Sequence, residues 1–389
     1  MWKIVRLGDV CTISSSKRIF AKEYKSEGIP FYRGKEVIEK HNGNNVSTEL
    51  YISKERYDEI KSKYDVPGKG DILLTSVGTL GIPWLVDEED FYFKDGNLTW
   101  LRCNTEIVPE YLYLWLNSAE AQNQIDAKCI GSTQKALTIE TLNKFQITLP
   151  SFELQKKIVS IIAPIESKIS RNRKINENLL QQLHVLYSRL FCDSAMDTPL
   201  GDVVATTSGG TPSRKHDEYY SDSSICWVKS KELIGNYIHE TEEHINDLAI
   251  KKSSAKLLPE HSVLIAMYGA TVGAYGVISK PMTCNQAVCA LLCNENYPYT
   301  YLFQIAYESQ QKFINLAVGS AQQNISQVLI KQLNLHSDLD IIQRFHDLAL
   351  PMHQEIEFLQ AENIRLSDLR DNLLPKLMSG ELDVSNVEI

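Results

Sequence analysis

Two stretches of the chain carry the residue types best suited to grip a polyanion. Ser14-Ser15-Ser16-Lys17-Arg18 and Thr206-Thr207-Ser208-Gly209-Gly210-Thr211-Pro212-Ser213-Arg214-Lys215 are small-polar runs that end in paired cations. Loop cations of this kind donate to phosphate oxygens, or to the acceptor edges of bases when a rigid frame holds them. The residues an enzyme would need are absent. There is no Gly-x-x-x-x-Gly-Lys-Ser/Thr phosphate loop, no Gly-x-Ser-x-Gly elbow and no Gly-x-Gly-x-x-Gly nucleotide turn. The Pro-Pro-aromatic element with which amino-methyltransferases hold a flipped base is also missing, and Glu23-Tyr24-Lys25 and Glu59-Ile60-Lys61 are chance patterns in so charged a chain.

Metal chemistry has little footing in the spacing. None of the eight cysteines forms a Cys-x-x-Cys pair, and the nine histidines show no His-Glu-x-x-His arrangement. Cys284, Cys289 and Cys293 fall in an apolar run, where thiols behave as small buried hydrophobes. The expectation is a chain without metal or cofactor.

Those cations need elements to position them, and composition says the elements exist. With 43% hydrophobic and 23% charged residues over 389 positions, the chain has the makeup of a globular protein of about two domains. No signal core opens it and no membrane-length apolar stretch interrupts it, so a cytoplasmic location without membrane contact is expected. The net charge of -9 argues against a phosphate partner, but the distribution is uneven. Residues 151–191 are net basic, whereas 339–389 form the most acidic segment. A chain that holds nucleic acid through local loops, or inside a larger assembly, can carry such a balance.

The strongest organisational signal is an internal repeat at an offset of about 190 residues. Leu7-Gly8-Asp9-Val10 returns as Leu200-Gly201-Asp202-Val203. The strand-like run Asp71–Thr79 returns as Ser262–Ala270, and Gly131-Ser132-Thr133-Gln134 returns as Gly319-Ser320-Ala321-Gln322. Each copy closes on a heptad seam. Ile165, Ile169, Asn172, Asn176, Leu179, Leu183, Leu186 and Leu190 alternate spacings of four and three, and so do Met352, Ile356, Leu359, Asn363, Leu366, Arg370, Leu373 and Leu377, offset by 187 throughout. Two such helices in one chain pack most simply as an antiparallel pair. Asn176 and Asn363 hold equivalent seam positions, where a buried amide pair would set register, and Pro164 and Pro351 mark the expected helix starts. From Ile165 to Leu190 is 26 residues. At about 1.5 Å per residue that is roughly 39 Å, close to one turn of B-DNA.

The architecture expected is thus duplicated α/β (α+β): two similar domains with two long antiparallel coiled-coil helices. The segments are 1–150, first domain; 151–192, first spacer helix; 193–338, second domain; and 339–389, second spacer helix with the C-terminal tail. Strands are expected at Asp71–Leu74, Phe145–Leu149 and Val263–Ala266, helices at Glu110–Gln124 and Tyr299–Phe313. A duplicated domain on a rigid spacer suits a repetitive ligand, with DNA the obvious candidate and a protein scaffold the alternative.

Several motifs carry a family resemblance. Leu373-Leu374-Pro375-Lys376-Leu377-Met378-Ser379-Gly380-Glu381-Leu382 resembles the C-terminal signature of type I restriction-modification specificity subunits. Leu200–Val203 with Thr207–Ser213 is similar to the family's domain start, Trp227–Leu233 to the strand after it, and Cys284-Asn285-Gln286-Ala287 to a further recurrent element, echoed by Gly96-Asn97-Leu98-Thr99. The first half departs from the pattern, ending Leu190-Phe191-Cys192 without Pro-Lys-Leu-x-Ser-Gly-Glu and lacking Gly-Gly-Thr-Pro near its start.

The resemblance implies a non-catalytic DNA-binding subunit. Each target-recognition domain would read one half of a split double-stranded DNA sequence, with the helices setting the unread gap. Two methyltransferase subunits, which bind S-adenosylmethionine, and restriction/translocase subunits would be the partners, in phage defence. A methylation-only system is a close alternative. Loop donors and acceptors that could meet base edges are Lys17, Arg18, Arg33, Lys35, Thr75, Ser76 and Gln134 in the first domain. In the second they are Ser213, Arg214, Lys215, Lys229, Lys231, Tyr268, Gln322 and Gln323.

Overall fold

The computed structural model describes residues 2–44, 46, 48–129, 136–317, 324–385 and 387. The chain forms two compact units, one of residues 1–171 with 365–389 and one of residues 172–364.

In the first unit, Cys11–Ser14, Leu98–Cys103, Ile72–Thr75 and Pro83–Leu85 lie in that order in an antiparallel sheet. Ile72–Thr75 is buried at every position, as expected of an apolar run flanked by strands on both sides. A smaller sheet places Ile29–Tyr32 between Tyr51–Ile52 and Tyr92–Phe93, and Lys3–Arg6 pairs with Gln146–Leu149. The helix expected at Glu110–Gln124 is two, Pro109–Leu116 and Ala119–Cys129. Asn117 caps the first through its backbone N–H. Trp115, Tyr111 and Leu112 form the centre of this unit's core.

The second unit repeats the plan. Ala205–Ser208, Val288–Leu292, Val263–Ala266 and Tyr275–Ile278 follow the same order, extended by the parallel strand Asn236–Ile238. Ile225–Val228 sits between His244–Ile245 and Thr283–Cys284, and Met196–Pro199 pairs with Asn334–His336. The turn at Gly209-Gly210 requires glycine: a Cβ on Gly209 would lie 2.1 Å from the Cys284 carbonyl oxygen, and one on Gly210 2.3 Å from the Ser254 carbonyl carbon. Cys284 and Cys289 are buried, and burial pushes both thiols up to about 12.

The two long helices span Phe152–Leu190 and Leu339–Ser379. None of the sixteen seam residues is exposed. They run antiparallel within each unit. In the second, Asn172 meets Asn363 and Tyr187 meets Phe345, so the partner number falls as the first rises. In the first, Glu166 accepts from Arg370, and Ile158 and Ile162 pack in one cluster with Leu374 and Leu377. The Arg370 bond explains a cation in an apolar seam.

Two expectations are corrected. Pro164 and Pro351 do not begin the helices but lie inside them. An interior proline costs about 3 kcal/mol, and the buried turns before each one, with Ile158 and Ile162 in one case and Ile342 and Phe345 in the other, offset that loss. The asparagine contact is also displaced by one turn. Asn172, not Asn176, donates to Asn363 Oδ1 at 2.9 Å and to Glu362 Oε2 at 2.6 Å. Antiparallel pairing sets residue 172 opposite 363, whereas Asn176 and Asn363 are equivalent only by the repeat.

Asn176 is buried with no hydrogen-bond partner for Oδ1 among the described residues. An orphaned buried acceptor costs about 1–3 kcal/mol. Asn176→Leu is therefore expected to raise the urea midpoint, while Asn172→Leu, which gives up two hydrogen bonds, raises it less or lowers it.

Candidate nucleic-acid interface

The same local design places cations at one corner of each unit. In the first, the strand Ile29–Tyr32 runs into Arg33-Gly34-Lys35-Glu36; in the second, Ile225–Val228 runs into Lys229-Ser230-Lys231-Glu232. Arg33 and Lys229 cap the short helices that follow. Each backbone N–H donates to the glutamate three residues on, at 2.8 Å to Glu36 and 2.7 Å to Glu232. The signal was present in sequence as Arg-x-Lys-Glu against Lys-x-Lys-Glu at an offset of 196, close to but not equal to that of the main repeat.

In the first unit the Arg33 guanidinium also grips Glu36, at 2.6 Å and 3.3 Å. Burial works to raise the Glu36 carboxyl, but these bonds and the backbone donor hold it below its ordinary range. Arg18 donates to Asp95 at 2.8 Å and is 68% exposed, and Lys17 lies over the Tyr64 ring at 4.5 Å. Lys35 pairs with Glu39 at 3.5 Å.

Thr75 and Ser76 are interior residues, which corrects the expectation that they face a ligand. Thr75 Oγ1 accepts from the Ile82 N–H at 2.9 Å, and the Ser76 and Thr99 hydroxyls are 2.6 Å apart. Hydroxyls with their bonding satisfied inside a sheet do not reach a base edge. Gln134 lies outside the described residues.

The second unit gathers its cations more tightly. Glu243 bridges Arg214 and Lys229, one carboxylate oxygen to each, and this pairing with Lys229 first and Arg214 next draws the carboxyl below its usual range. The Arg214 guanidinium rests 4.3 Å over Tyr220 and 5.5 Å over Trp227. Lys231 pairs with the neighbouring Glu242 at 2.5 Å. Ser213 and Lys215 are exposed on the same loop, and the Lys215 N–H donates to Ser213 Oγ at 3.3 Å. Tyr268 is 41% exposed and its backbone bridges to Asn324. Gln322 and Gln323 lie outside the described residues.

Sequence reasoning missed the acids and rings that hold these cations. Glu36, Asp95 and Glu243 are ordinary acidic residues in sequence, and only the fold brings Glu243 to Arg214. Where a pair is exposed, as Lys231–Glu242 is, it contributes at most about 1 kcal/mol, so a polyanion can replace the carboxylate there, while Tyr220 and Trp227 keep the Arg214 guanidinium in place.

The chain thus carries a duplicated mixed fold with a cation-bearing corner in each copy, and the comparisons specify its family. The sequence matches the type I restriction modification DNA specificity domain over residues 1–181 and 195–336, and the chain belongs to that family. It is 24% identical to the MjaIX type I specificity subunit of Methanocaldococcus jannaschii, covering 99% of this chain and 94% of that one. It is 22% identical to the HindI specificity subunit of Haemophilus influenzae, over 83% and 90%. The crystal structure of the type I restriction-modification S subunit from M. genitalium shares the fold, with a TM-score of 0.60 at 14% identity over 97% and 96% of the two chains. No helix among the described residues is long and apolar enough to cross a membrane.

Proposed function

We propose that this chain is the non-catalytic targeting subunit of a type I complex, bringing methyltransferase and restriction subunits to a split DNA sequence in the cytoplasm. Each unit's domain reads one half-site, and the paired long helices set the gap. The observation that carries this reading is the recurrence of one cation-bearing corner, Arg33 and Lys35 in one domain and Lys229 and Lys231 in the other, on the same small sheet. S-adenosylmethionine belongs to the methyltransferase partners.

The acidic net charge fits the same reading. Reading cations neutralised by Asp95, Glu36 and Glu243 bind DNA only where the gain exceeds the loss of the ion pair, which disfavours non-specific sites.

Co-expression with the neighbouring methyltransferase gene, in a host lacking other adenine methylation, followed by genome-wide mapping of modified adenines, tests the proposal. Two short defined sequences around a constant gap are expected. Replacing Arg214 and Lys229 together by alanine should relax or abolish the second half-sequence, at about 1–3 kcal/mol per lost base contact, and leave the first intact. A soluble, assembled complex that methylates nothing would favour a protein scaffold instead.

A further inference from the structure

The geometry points to a binding site for a thiophilic divalent cation, zinc by its donor chemistry, on Cys226, Glu240 and His244 of the second domain. These three form the one such group among the described residues, with ligand atoms all within 4.8 Å of one another.

Cys226 and His244 are direct partners across the antiparallel pair Ile225–Val228 and His244–Ile245. Directly opposed strand residues hold their Cβ atoms about 4.5–5.5 Å apart, so two ligands on one face converge without loop rearrangement. Glu240, four residues before His244, closes the group. Its Oε1 lies 3.0 Å from Cys226 Sγ and 2.5 Å from His244 Nε2.

Lys280 occupies the other carboxylate oxygen, Oε2, at 3.2 Å, and thereby leaves Oε1 turned toward sulfur and nitrogen.

The donor set selects the ion. One sulfur, one imidazole nitrogen and one carboxylate oxygen suit zinc and its close relatives, whereas magnesium and calcium call for oxygen throughout. On binding, the Cys226 S–H bond breaks, the sulfur–metal bond forms and the proton leaves to solvent. The ion, one thiolate, one carboxylate and a neutral imidazole sum to zero, and the Lys280 ammonium on Glu240 Oε2 brings the cluster to +1. Water completes four-coordination on the side where Glu240 is exposed.

The shared scaffold does not need this cluster. In the first domain the cross-strand pair at the same place is Pro30 and Tyr51, neither a metal ligand by character. Among the described residues the cluster belongs to the second domain alone. It also sits on the turn that presents Glu243: the Trp227 N–H donates to the Glu243 carbonyl at 3.0 Å and to Thr241 Oγ1 at 3.2 Å. A metal there would tie that turn to the strand before Lys229 and so steady the carboxylate holding Arg214 and Lys229. That consequence rests on the DNA-reading function; the metal site does not.

The test uses the full chain, purified and dialysed against chelator, then titrated with cobalt(II) and displaced with zinc(II). One equivalent should bind with a thiolate-to-cobalt charge-transfer absorption that zinc abolishes. Cys226→Ser should remove the absorption, and Cys192→Ser, at an exposed thiol, should keep it. Glu240→Gln, a surface change that leaves the fold standing, should weaken binding by at least about tenfold, since even an outer partner of a ligand is worth that much. No stoichiometric binding at micromolar cobalt, or an absorption that survives Cys226→Ser or Glu240→Gln unchanged, would overturn the site. Either readout is independent of whether the chain recognises DNA.

Discussion

A heptad inserted into each long helix at facing positions should lengthen the unread gap of the target by about three base pairs and leave both half-sequences as they were. Residue 172 faces 363, so an insertion after Lys174 is matched by one after Gln360. Seven residues add about 10 Å at about 1.5 Å each, or about three base-pair steps of roughly 3.4 Å. Leucines at the two new seam positions continue the alternation of four and three. Deletion is the poorer test: Leu183 belongs to the second unit's core, Glu166 and Arg370 tie the helices in the first, and Gln360 accepts from the Tyr237 N–H. The insertion leaves every one of these contacts on its own side of the join.

Methylation mapping reads the result directly. Sites with the native gap should lose modification. The lengthened sites should be modified less fully than the native ones were, because three base pairs also turn one half-site by roughly 100° about the duplex axis. An unchanged gap, or altered half-sequences, would refute the division of labour between domains and helices.

Lowering the pH from 7 to 5 should cost the second unit about 2 kcal/mol through His353 alone. His353 is 1% exposed, packed against Tyr237, Tyr299 and Phe303, and its Nδ1 lies 2.7 Å from the Tyr237 hydroxyl. Burial first, then the nearby His346 and His261, lowers its pKa from 6.5 to about 3. The unfolded chain therefore takes up a proton below about 6.5 that the folded chain refuses until about 3, so stability falls across that window as pH falls. Each pH unit well inside it costs about 1.4 kcal/mol.

His336 and His346, also lowered by burial, act in the same direction. His261, raised by the Glu357 carboxylate 3.6 Å away, acts in the opposite one. Urea unfolding at pH 7 and pH 5 should show His353→Gln losing about 2 kcal/mol less between the two than the wild-type chain. Equal losses would refute the assignment.

Both predictions use long-range facts, and this marks where the sequence stopped. Its periodicities carried a great deal. The alternation of four and three determined two long helices and all sixteen of their seam positions, because a heptad stripe has one way to be buried. The repeat determined that the fold occurs twice, and continuous apolar runs such as Ile72–Thr75 and Val263–Ala266 determined the central strands. The closing Leu-Pro-Lys-Leu-Met-Ser-Gly-Glu-Leu run and the Gly-Gly-Thr-Pro turn were enough for the family.

What remained depends on partners far apart in the chain. Asn176 and Asn363 are equivalent by repeat, but antiparallel register gives Asn363 to Asn172. Pro164 and Pro351 look like helix starts, yet burial of the turns before them outweighs a lost hydrogen bond. Thr75 and Ser76 follow the expected strand Asp71–Leu74 as loop residues would, but Thr75 pairs with Leu98, and Ser76 bonds Asn97 and Thr99, which draws both inside. The carboxylate that each cation meets, and the meeting of Cys226 with Glu240 and His244, follow from strand pairing across the sheet. Local spacing encodes which face of an element is buried; which residue it is buried against is decided only when the sheets and helices close on one another.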